Sequence, residues 1–335
     1  MLVVIKTFQY QQQVTKDNAK QLETQRFNDL FFELVSIYNR EVKALSESIS
    51  ISYVSKGEKS PILEQTIQYE SKEFFDYAKK ELQEKFVSTT SFGKNRRIAL
   101  NLYMLYYTEN KSKLSGYYRI LYRIYDLIDN ASIDEDAKKN YLKIIRAQLS
   151  ESELFFLRYN AMSYYGYNFI DYLNKYHVLK HLPAFDMLEF KDWWSDLDEL
   201  EIMGMNIVAD NFAKILRDLL KKKTGYISNG KWQIHKYTYI IRVTNSNEAQ
   251  VTIIINNQRD NNTHEFKALD KFSNIKIQQL LDCFIKEVFL YSNFERYNKF
   301  YETFSVPIKI ANKKTIISSG IRSKNGEPLT IEYTF

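Results

Sequence analysis

Residues that interrupt helices are scarce in this chain, which has 9 glycines and 4 prolines among 335 residues. Collagen-like repeats, glycine-rich phosphate loops in series and the closely spaced turns of an all-β sandwich need more of both residues, so these classes are excluded. The segment 7–47 contains neither residue, and from position 22 to position 45 its apolar side chains recur every three or four positions. This spacing is that of one helix face. The sequence therefore predicts a mainly α protein.

The same apolar spacing predicts further helices through the first two thirds of the chain. We expect them at 63–85, 97–107, 114–128, 134–149, from 150 onward, 168–176 and 196–221, with a loop at 48–61. Ser150 and Glu153 have the S-x-x-E spacing of a capping box, and apolar residues follow directly. A new helix is therefore expected to begin at Ser150.

The pattern changes between positions 221 and 230, where lysines are followed by Gly225 and Asn229-Gly230. Beyond it, β-branched and aromatic residues predict a hairpin from 232–244 and 251–256 and strands at 306–310, 314–318 and 329–333, with a long amphipathic helix at 275–304. We therefore expect a multi-helix N-terminal domain followed by a smaller α+β domain, in which an antiparallel sheet packs on a long helix. The predicted boundaries are a polar helical arm at 1–25, a helical domain at 26–222 and an α+β domain at 231–335.

Charge and cysteine content restrict the environment and the partners. Lys and Arg number 47 against 41 Asp and Glu, a net charge of +6 that permits a nucleic-acid partner without requiring one. The single cysteine, Cys283, rules out an intrachain disulfide, and we expect it to be a buried apolar thiol. No apolar run approaches the roughly 18–20 residues that span a bilayer, so a cytoplasmic protein is expected. The polar arm favours a homo-oligomer formed through the N-terminal helix.

Common catalytic motifs are absent: the sequence contains no G-x-x-x-x-G-K-[ST], G-x-G-x-x-G, G-x-S-x-G or H-E-x-x-H. We therefore expect no cofactor. His177 and His181 would share a helix face and be able to hold a metal, or they are a pair of surface or helix-C-terminal histidines. A cluster of acidic residues is able either to hold Mg²⁺, as in nucleases, or to cap a helix start. Its members are Asp192, Asp196, Asp198, Glu199 and Glu201.

Arginines are concentrated in the central helices, and each guanidinium presents a planar fork suited to phosphate or carboxylate. They are Arg119, Arg123, Arg146 and Arg158, with Gln148, Ser150 and Asn160 close in sequence. One interpretation is a polar binding groove. The alternative is a set of ion pairs between helices, with Asp126, Asp129 or Glu153 as partners.

Several short segments resemble, in order and spacing, the putative phage abortive infection family of AbiC type. They are Phe31-Phe32-Glu33-Leu34, Tyr38-Asn39, Val42, Tyr117-Tyr118-Arg119, Leu121-Tyr122-Arg123-Ile124, Ile128-Asp129, Ile145-Arg146-Ala147-Gln148-Leu149-Ser150, Glu153-Leu154, Tyr159-Asn160, Gly166, Lys175-Tyr176 and Leu179-Lys180-His181-Leu182. The resemblance covers roughly residues 26–182. Its most specific part is R-A-Q-L-S followed by E-L and Y-N. Tyr38 stands where the family usually has a histidine.

The resemblance implies a bacterial antiphage role, in which an infected cell stops productive phage growth, often at the cost of its own survival. It implies no particular reaction. The motif positions that we take as candidate binding residues are Arg119, Arg123, Arg146, Gln148, Ser150, Tyr159 and Asn160. The preferred hypothesis is a defence protein that senses a phage protein or nucleic acid. The alternatives are a metal-dependent nuclease or nucleotide-handling toxin, and a nucleic-acid-binding module.

Overall fold

A computed structural model describes residues 2–53, 63–221, 228–244, 247–260, 263–290 and 301–329. The chain divides into two compact units. The first comprises residues 1–79 and 106–153, and the second comprises residues 80–105 and 154–335. Most of the described residues are helical, and a five-stranded antiparallel sheet lies near the C-terminus. The expected fold class, mainly α with a smaller α+β part, is confirmed.

The first unit is built on a long helix, α1 (Leu2–Ala44), which packs on α4 (Lys111–Asn130). α4 in turn contacts α5 (Glu135–Arg146). The side chains of residues 7–23 in α1 are exposed, whereas Phe31, Tyr38 and Val42 are buried. The predicted arm is thus the solvent-facing first half of one continuous helix, and the predicted apolar face is its second half.

A β-hairpin in the first unit replaces part of the expected loop and helix. β1 (Ser46–Tyr53) pairs antiparallel with β2 (Leu63–Glu70), and α2 (Lys72–Lys85) begins only after Ser71. The loop at 48–61 and the helix start at 63 were therefore wrong where those residues are described. Polar and apolar residues alternate in both segments, a period of two that favours a strand. Ser71, which has a φ of 58°, separates the strand from the helix.

The second unit contains α6 (Glu151–Met162) from Leu154 onward, and residues 152–161 of this helix are all buried. α3 (Phe92–Glu109) contributes its first part to this unit, followed by α7 (Ile170–Lys175), α8 (Lys191–Trp194) and α9 (Glu199–Lys221). A helix that is apolar around most of its circumference belongs inside a domain. α6 is accordingly the central helix. α7 confirms most of the helix expected at 168–176, which begins as a 3-10 turn.

The sheet has the order β3-β4-β5-β7-β6, and all neighbouring strands are antiparallel. The strands are β3 (Ser228–Ile234), β4 (Tyr237–Thr244), β5 (Glu248–Asn256), β6 (Tyr301–Ala311) and β7 (Lys314–Ser323). α10 (Asn274–Leu290) packs on β6 and β7, and α9 packs on β3 and β4. The expected packing of an antiparallel sheet on a long helix is confirmed.

Some boundaries in this region differ from expectation. The strand expected at 232–244 is two strands, because His235, with a φ of 49°, turns the chain between them. The helix expected to continue to residue 304 was wrong at its end, since 301–304 belong to β6; residues 291–300 lie outside the described residues. Leu329 is buried but lies in no strand, and the rest of the strand expected at 329–333 is likewise outside the described part.

β6 is an edge strand with an irregular register. Its pairing with β7 shifts between Val306 and Lys309, and the exposed Pro307 lies inside that shift. Because proline has no backbone N–H to donate, edge strands and bulges are the positions where sheets accept it.

Across the described residues, no helix combines the length and the apolar content needed to cross a membrane.

Candidate functional site

The capping box predicted at Ser150 is present at the start of α6. The Ser150 backbone N–H donates to Glu153 Oε2 (2.7 Å), and the Glu153 backbone N–H donates to Ser150 Oγ (3.2 Å). These reciprocal bonds satisfy donors that a helix start leaves without partners inside the helix. Ser150 therefore has a structural function as the N-cap of the helix.

The second carboxylate oxygen of Glu153 holds two tyrosines in the core of the first unit. Glu153 is fully buried, and its Oε1 accepts hydrogen bonds from Tyr38 Oη (2.6 Å) and Tyr117 Oη (3.2 Å). Burial first, and then the adjacent carboxylate, raise the pKa of both phenols well above the ordinary value. Motif positions in α1, α4 and α6 are thus joined by one buried carboxylate, an arrangement that organises the fold.

Alkaline pH should destabilise the protein through its buried tyrosines. Burial raises the pKa of six described tyrosines, Tyr38, Tyr117, Tyr125, Tyr159, Tyr237 and Tyr239. These phenols stay protonated in the folded protein above pH 10, whereas the unfolded chain ionises there. Their stabilisation is therefore complete below about pH 10 and is lost as the pH rises further, by about 1.4 kcal/mol per pH unit for each tyrosine.

Denaturant titrations at increasing pH, with tyrosinate absorbance recorded in parallel, measure this loss. Exposed tyrosines add their own absorbance, so we expect the part that belongs to these six buried phenols to appear as a step together with unfolding. Gradual titration of these phenols near pH 10 in a protein that stays folded would contradict the expectation.

Arg158 on α6 forms a buried ion pair in the second unit. Its Nη2 lies 2.6 Å from Oε1 of Glu189, and both side chains are completely buried. The other oxygen, Glu189 Oε2, accepts a hydrogen bond from Tyr159 Oη (2.6 Å), which in turn accepts one from the Leu188 backbone N–H (3.1 Å). The alternative of an arginine ion pair is therefore realised at Arg158, but its partner is Glu189 and not one of the three acids expected.

The charge of Glu189 is stabilised by its surroundings. Burial alone would raise the pKa of this carboxyl, but the Arg158 and Arg96 cations and the hydrogen bonds from Arg158 and Tyr159 lower it. The guanidinium of Arg158 also lies 5.0 Å from the centre of the Tyr159 ring, a cation–π distance. Because this network is excluded from solvent, Tyr159 serves the architecture of the unit.

Asn160, the next motif residue, anchors the turn that follows α6. Its Nδ2 donates to Tyr103 Oη (2.9 Å), and its backbone oxygen accepts from Ser163 Oγ (2.7 Å). Gly166 packs directly on Asn160, so that a Cβ at position 166 would overlap the side-chain oxygen and the carbonyl group of Asn160. The motif pair Asn160 and Gly166 is therefore explained by close packing at this turn.

The remaining candidate residues lie in the first unit. Arg119 and Arg123 are exposed on α4; Arg119 Nε donates to the Ser115 backbone oxygen (3.1 Å), and Arg123 is 3.8 Å from Asp126. Arg146 is half-buried at the end of α5, and its charge partly offsets the upward shift that burial causes in the pKa of Tyr125. The Gln148 backbone oxygen accepts from Lys72 Nζ (2.7 Å). The exposed and half-buried members are therefore the ones that remain available for binding.

The acidic segment supplies helix caps. The Asp198 backbone N–H donates to Glu201 Oε2 (3.0 Å), and the Glu201 N–H donates to Asp198 Oδ1 (2.9 Å). The start of α9 thus has a capping box like that of α6. Asp192 accepts a hydrogen bond from Ser88. The exposed Asp196 lies 3.8 Å from Lys276, and Glu199 is exposed in the first turn of α9.

Asp198 and Glu201 also lie near His264. Each of the three offers one potential metal-ligand atom, and these atoms lie within 4.8 Å of one another. Nδ1 of His264 is 3.4 Å from Asp198 Oδ2, but Glu201 Oε2 is 2.5 Å from the Lys271 ammonium. A divalent cation would have to compete with that ammonium for Glu201. The arrangement favours helix capping over cation binding.

The two histidines expected to share a helix face do not do so. His177 has a φ of 48° and precedes the 3-10 segment Val178–His181, so the spacing of four residues is not helical here. The i, i+4 metal interpretation was therefore wrong. Cys283 is buried in α10, as predicted.

Arg259 and His264 are separated by four residues, a spacing that fits the R-x(4–6)-H motif of certain helical ribonucleases. Arg259 lies after the end of β5, and His264 begins the 3-10 segment His264–Phe266. The two residues do not share a helix, so this pair does not reproduce such a helical site.

Comparison with known proteins identifies one family. Residues 109–187 match the model of the family described as Putative phage abortive infection protein, which confirms the resemblance over that part of the chain. No curated protein and no solved structure gives a significant match. The matched segment begins at the end of α3 and includes Ser150, Glu153, Arg158, Tyr159 and Asn160.

Proposed function

Because residues 109–187 carry the sequence of the phage abortive infection family, we propose that this protein acts in bacterial antiphage defence by abortive infection. The family match is the observation that carries the proposal. We further propose that the protein works in the cytoplasm and senses a phage product through its helical and C-terminal domains, with boundaries at 26–222 and 231–335.

The contacts within the matched segment support a division of labour. Glu153, Arg158 and Tyr159 are buried, and each of them bonds to a neighbouring side chain. Arg146 and Gln148, by contrast, are only half-buried. Guanidinium and amide groups recognise carboxylate, phosphate and peptide groups through directional hydrogen bonds. This pair therefore remains the best candidate among the motif positions for recognition.

The double variant Arg146→Ala/Gln148→Ala should lose protection while keeping its fold. A host that expresses the intact protein should plate phage poorly and, at high phage input, its culture should collapse. We expect the variant to plate phage normally and to melt at an unchanged temperature, because neither side chain lies in the core. The matched control is Lys139→Ala/Lys143→Ala, which removes two exposed cations from the same helix.

Protection that survives the Arg146/Gln148 change would remove these residues as the recognition site. Unchanged plating by the intact protein across diverse phages would overturn the proposed defence function itself.

The exposed half of α1 is proposed to mediate self-association. Phe8 and Tyr10 are 60% and 71% exposed on a helical segment whose residues 7–23 face solvent. A helix without tertiary packing is only marginally stable in water, so a second copy would stabilise this segment. We expect light scattering to give the mass of an oligomer for the full chain and the mass of a monomer for a chain that lacks residues 1–25. A monomer mass for both chains would contradict self-association through the arm.

A further inference from the structure

Three tyrosines project from the turn that follows α6. Tyr164, Tyr165 and Tyr167 are 81%, 45% and 58% exposed. Their rings contact one another: the centroids of Tyr164 and Tyr165 are 5.9 Å apart, and those of Tyr164 and Tyr167 are 6.4 Å apart. We call these three residues the tyrosine cluster. A group of large aromatic side chains on a surface marks an interaction site more often than it marks an ordinary solvated loop.

The backbone beneath the tyrosine cluster is held in one conformation. The Tyr165 N–H donates to Ser163 Oγ (3.2 Å), while Ser163 Oγ itself donates to the Asn160 backbone oxygen (2.7 Å). The Phe169 N–H donates to the Gly166 backbone oxygen (2.8 Å), and Phe169 is buried. Because the turn is fixed before any partner arrives, the entropy lost on binding is small.

The chemistry of the turn favours a protein over a nucleic acid. Residues 163–170 read Ser-Tyr-Tyr-Gly-Tyr-Asn-Phe-Ile and carry no charge, whereas nucleic-acid affinity depends on cations that contact phosphates. The Tyr164 and Tyr165 rings meet at 74° and the Tyr164 and Tyr167 rings at 35°, so the three rings do not form a set of parallel faces for successive bases. Tyrosine with serine, glycine and asparagine is the composition of antibody loops that bind proteins.

We propose that the tyrosine cluster binds a phage protein. The surface that it contacts on this partner is uncharged and has accessible backbone amide and carbonyl groups. The phenol rings supply apolar contact area, and the hydroxyls exchange hydrogen bonds with the partner backbone. The choice of a phage protein rests on the proposed defence function. The motif residues Asn160 and Gly166 act here as positioning residues, because they shape the turn that presents the rings.

Site-specific photo-crosslinking in cells tests the proposal. A benzophenone amino acid replaces Tyr164 in the full-length protein, and the controls carry it at Val87 and Leu105, which are 74% and 64% exposed. We expect a protein adduct at position 164 that forms only after phage infection and exceeds both controls. An adduct that ribonuclease removes, an adduct already present without phage, or no adduct above the controls would overturn the proposal.

Purified components provide the second measurement. The crosslinked phage protein, identified by mass spectrometry, is titrated with the full-length protein and with Tyr164→Ser/Tyr167→Ser. Since exposed tyrosines at an interface are often energetic hot spots, we expect the variant to bind about tenfold more weakly or worse, at an unchanged melting temperature. Equal affinity would overturn the proposal. Because plating is measured separately, the two proposals can fail independently. Crosslinking without protection would refute the defence function, but the proposal that the tyrosine cluster binds a phage protein would stand.

Discussion

Glu189→Leu should destabilise the second compact unit by about 3–5 kcal/mol, the usual cost of leaving one buried charge without its partner. Leucine cannot accept the hydrogen bonds that Arg158 and Tyr159 donate to the carboxylate. The Arg158 side chain is fully buried, so water cannot readily replace the lost partner. All three tryptophans, Trp193, Trp194 and Trp232, lie in this unit, so denaturant titration followed by tryptophan fluorescence reports its unfolding.

A double-variant cycle separates charge loss from simple disruption of packing. Arg158→Met/Glu189→Leu removes both charges, and we expect it to recover most of the stability lost in the single variant. The exposed Glu84→Leu is the matched control for the substitution itself, with an expected effect within about 0.5 kcal/mol. If the double variant were as unstable as Glu189→Leu alone, the interpretation of an unpaired buried charge would be wrong.

Gly166→Ala should destabilise the same unit by about 2–3 kcal/mol, although it adds a single methyl group. The new Cβ would overlap the Asn160 side-chain oxygen and its carbonyl group. Asn160 has little room to yield, because it lies buried at the end of α6 and its Nδ2 is bonded to Tyr103 Oη. Tryptophan fluorescence during denaturation again gives the measurement.

A glycine in open space serves as the control for this change. Gly326 has a φ of 73°, and a Cβ added there would meet no atom within 4 Å, so Gly326→Asn has room and a conformation that asparagine tolerates. We expect little loss of stability there. If Gly166→Ala were equally mild, the turn would be able to move away from Asn160, and the argument for a fixed tyrosine cluster would fail.

Local signals in the sequence predict the helical part of the fold well. The capping box of Ser150 and Glu153 and the apolar spacing of α4 depend on residues three or four positions apart, so one segment contains all the information. The β1–β2 hairpin shows the limit of this reasoning. Ile67 fits a helical stripe with Phe74 and an alternating strand equally well, and only pairing with residues 46–53 decides between them.

The candidate site could be predicted only in part, because its contacts join distant positions. Arg158 was recognised as a residue that needs either a ligand or a counter-ion, but its partner Glu189 lies 31 residues further along the chain, beyond a run of short 3-10 segments. Nothing in the spacing of the acids distinguishes Glu189 from Glu153. The tyrosine cluster did have a signal, the sequence Tyr-Tyr-Gly-Tyr, but the abundance of tyrosine in this chain, 26 residues, concealed it.

The irregular register of β6 has a consequence for the behaviour of the protein at high concentration. A straight outer strand would offer a continuous row of hydrogen-bonding groups to any other chain nearby. Pro307 has no backbone N–H to donate, and the register of β6 shifts between Val306 and Lys309, so this strand is not a regular template. Lys309 adds an exposed positive charge, which repels an identical strand. These features disfavour pairing between the β6 edges of two copies, and therefore disfavour aggregation.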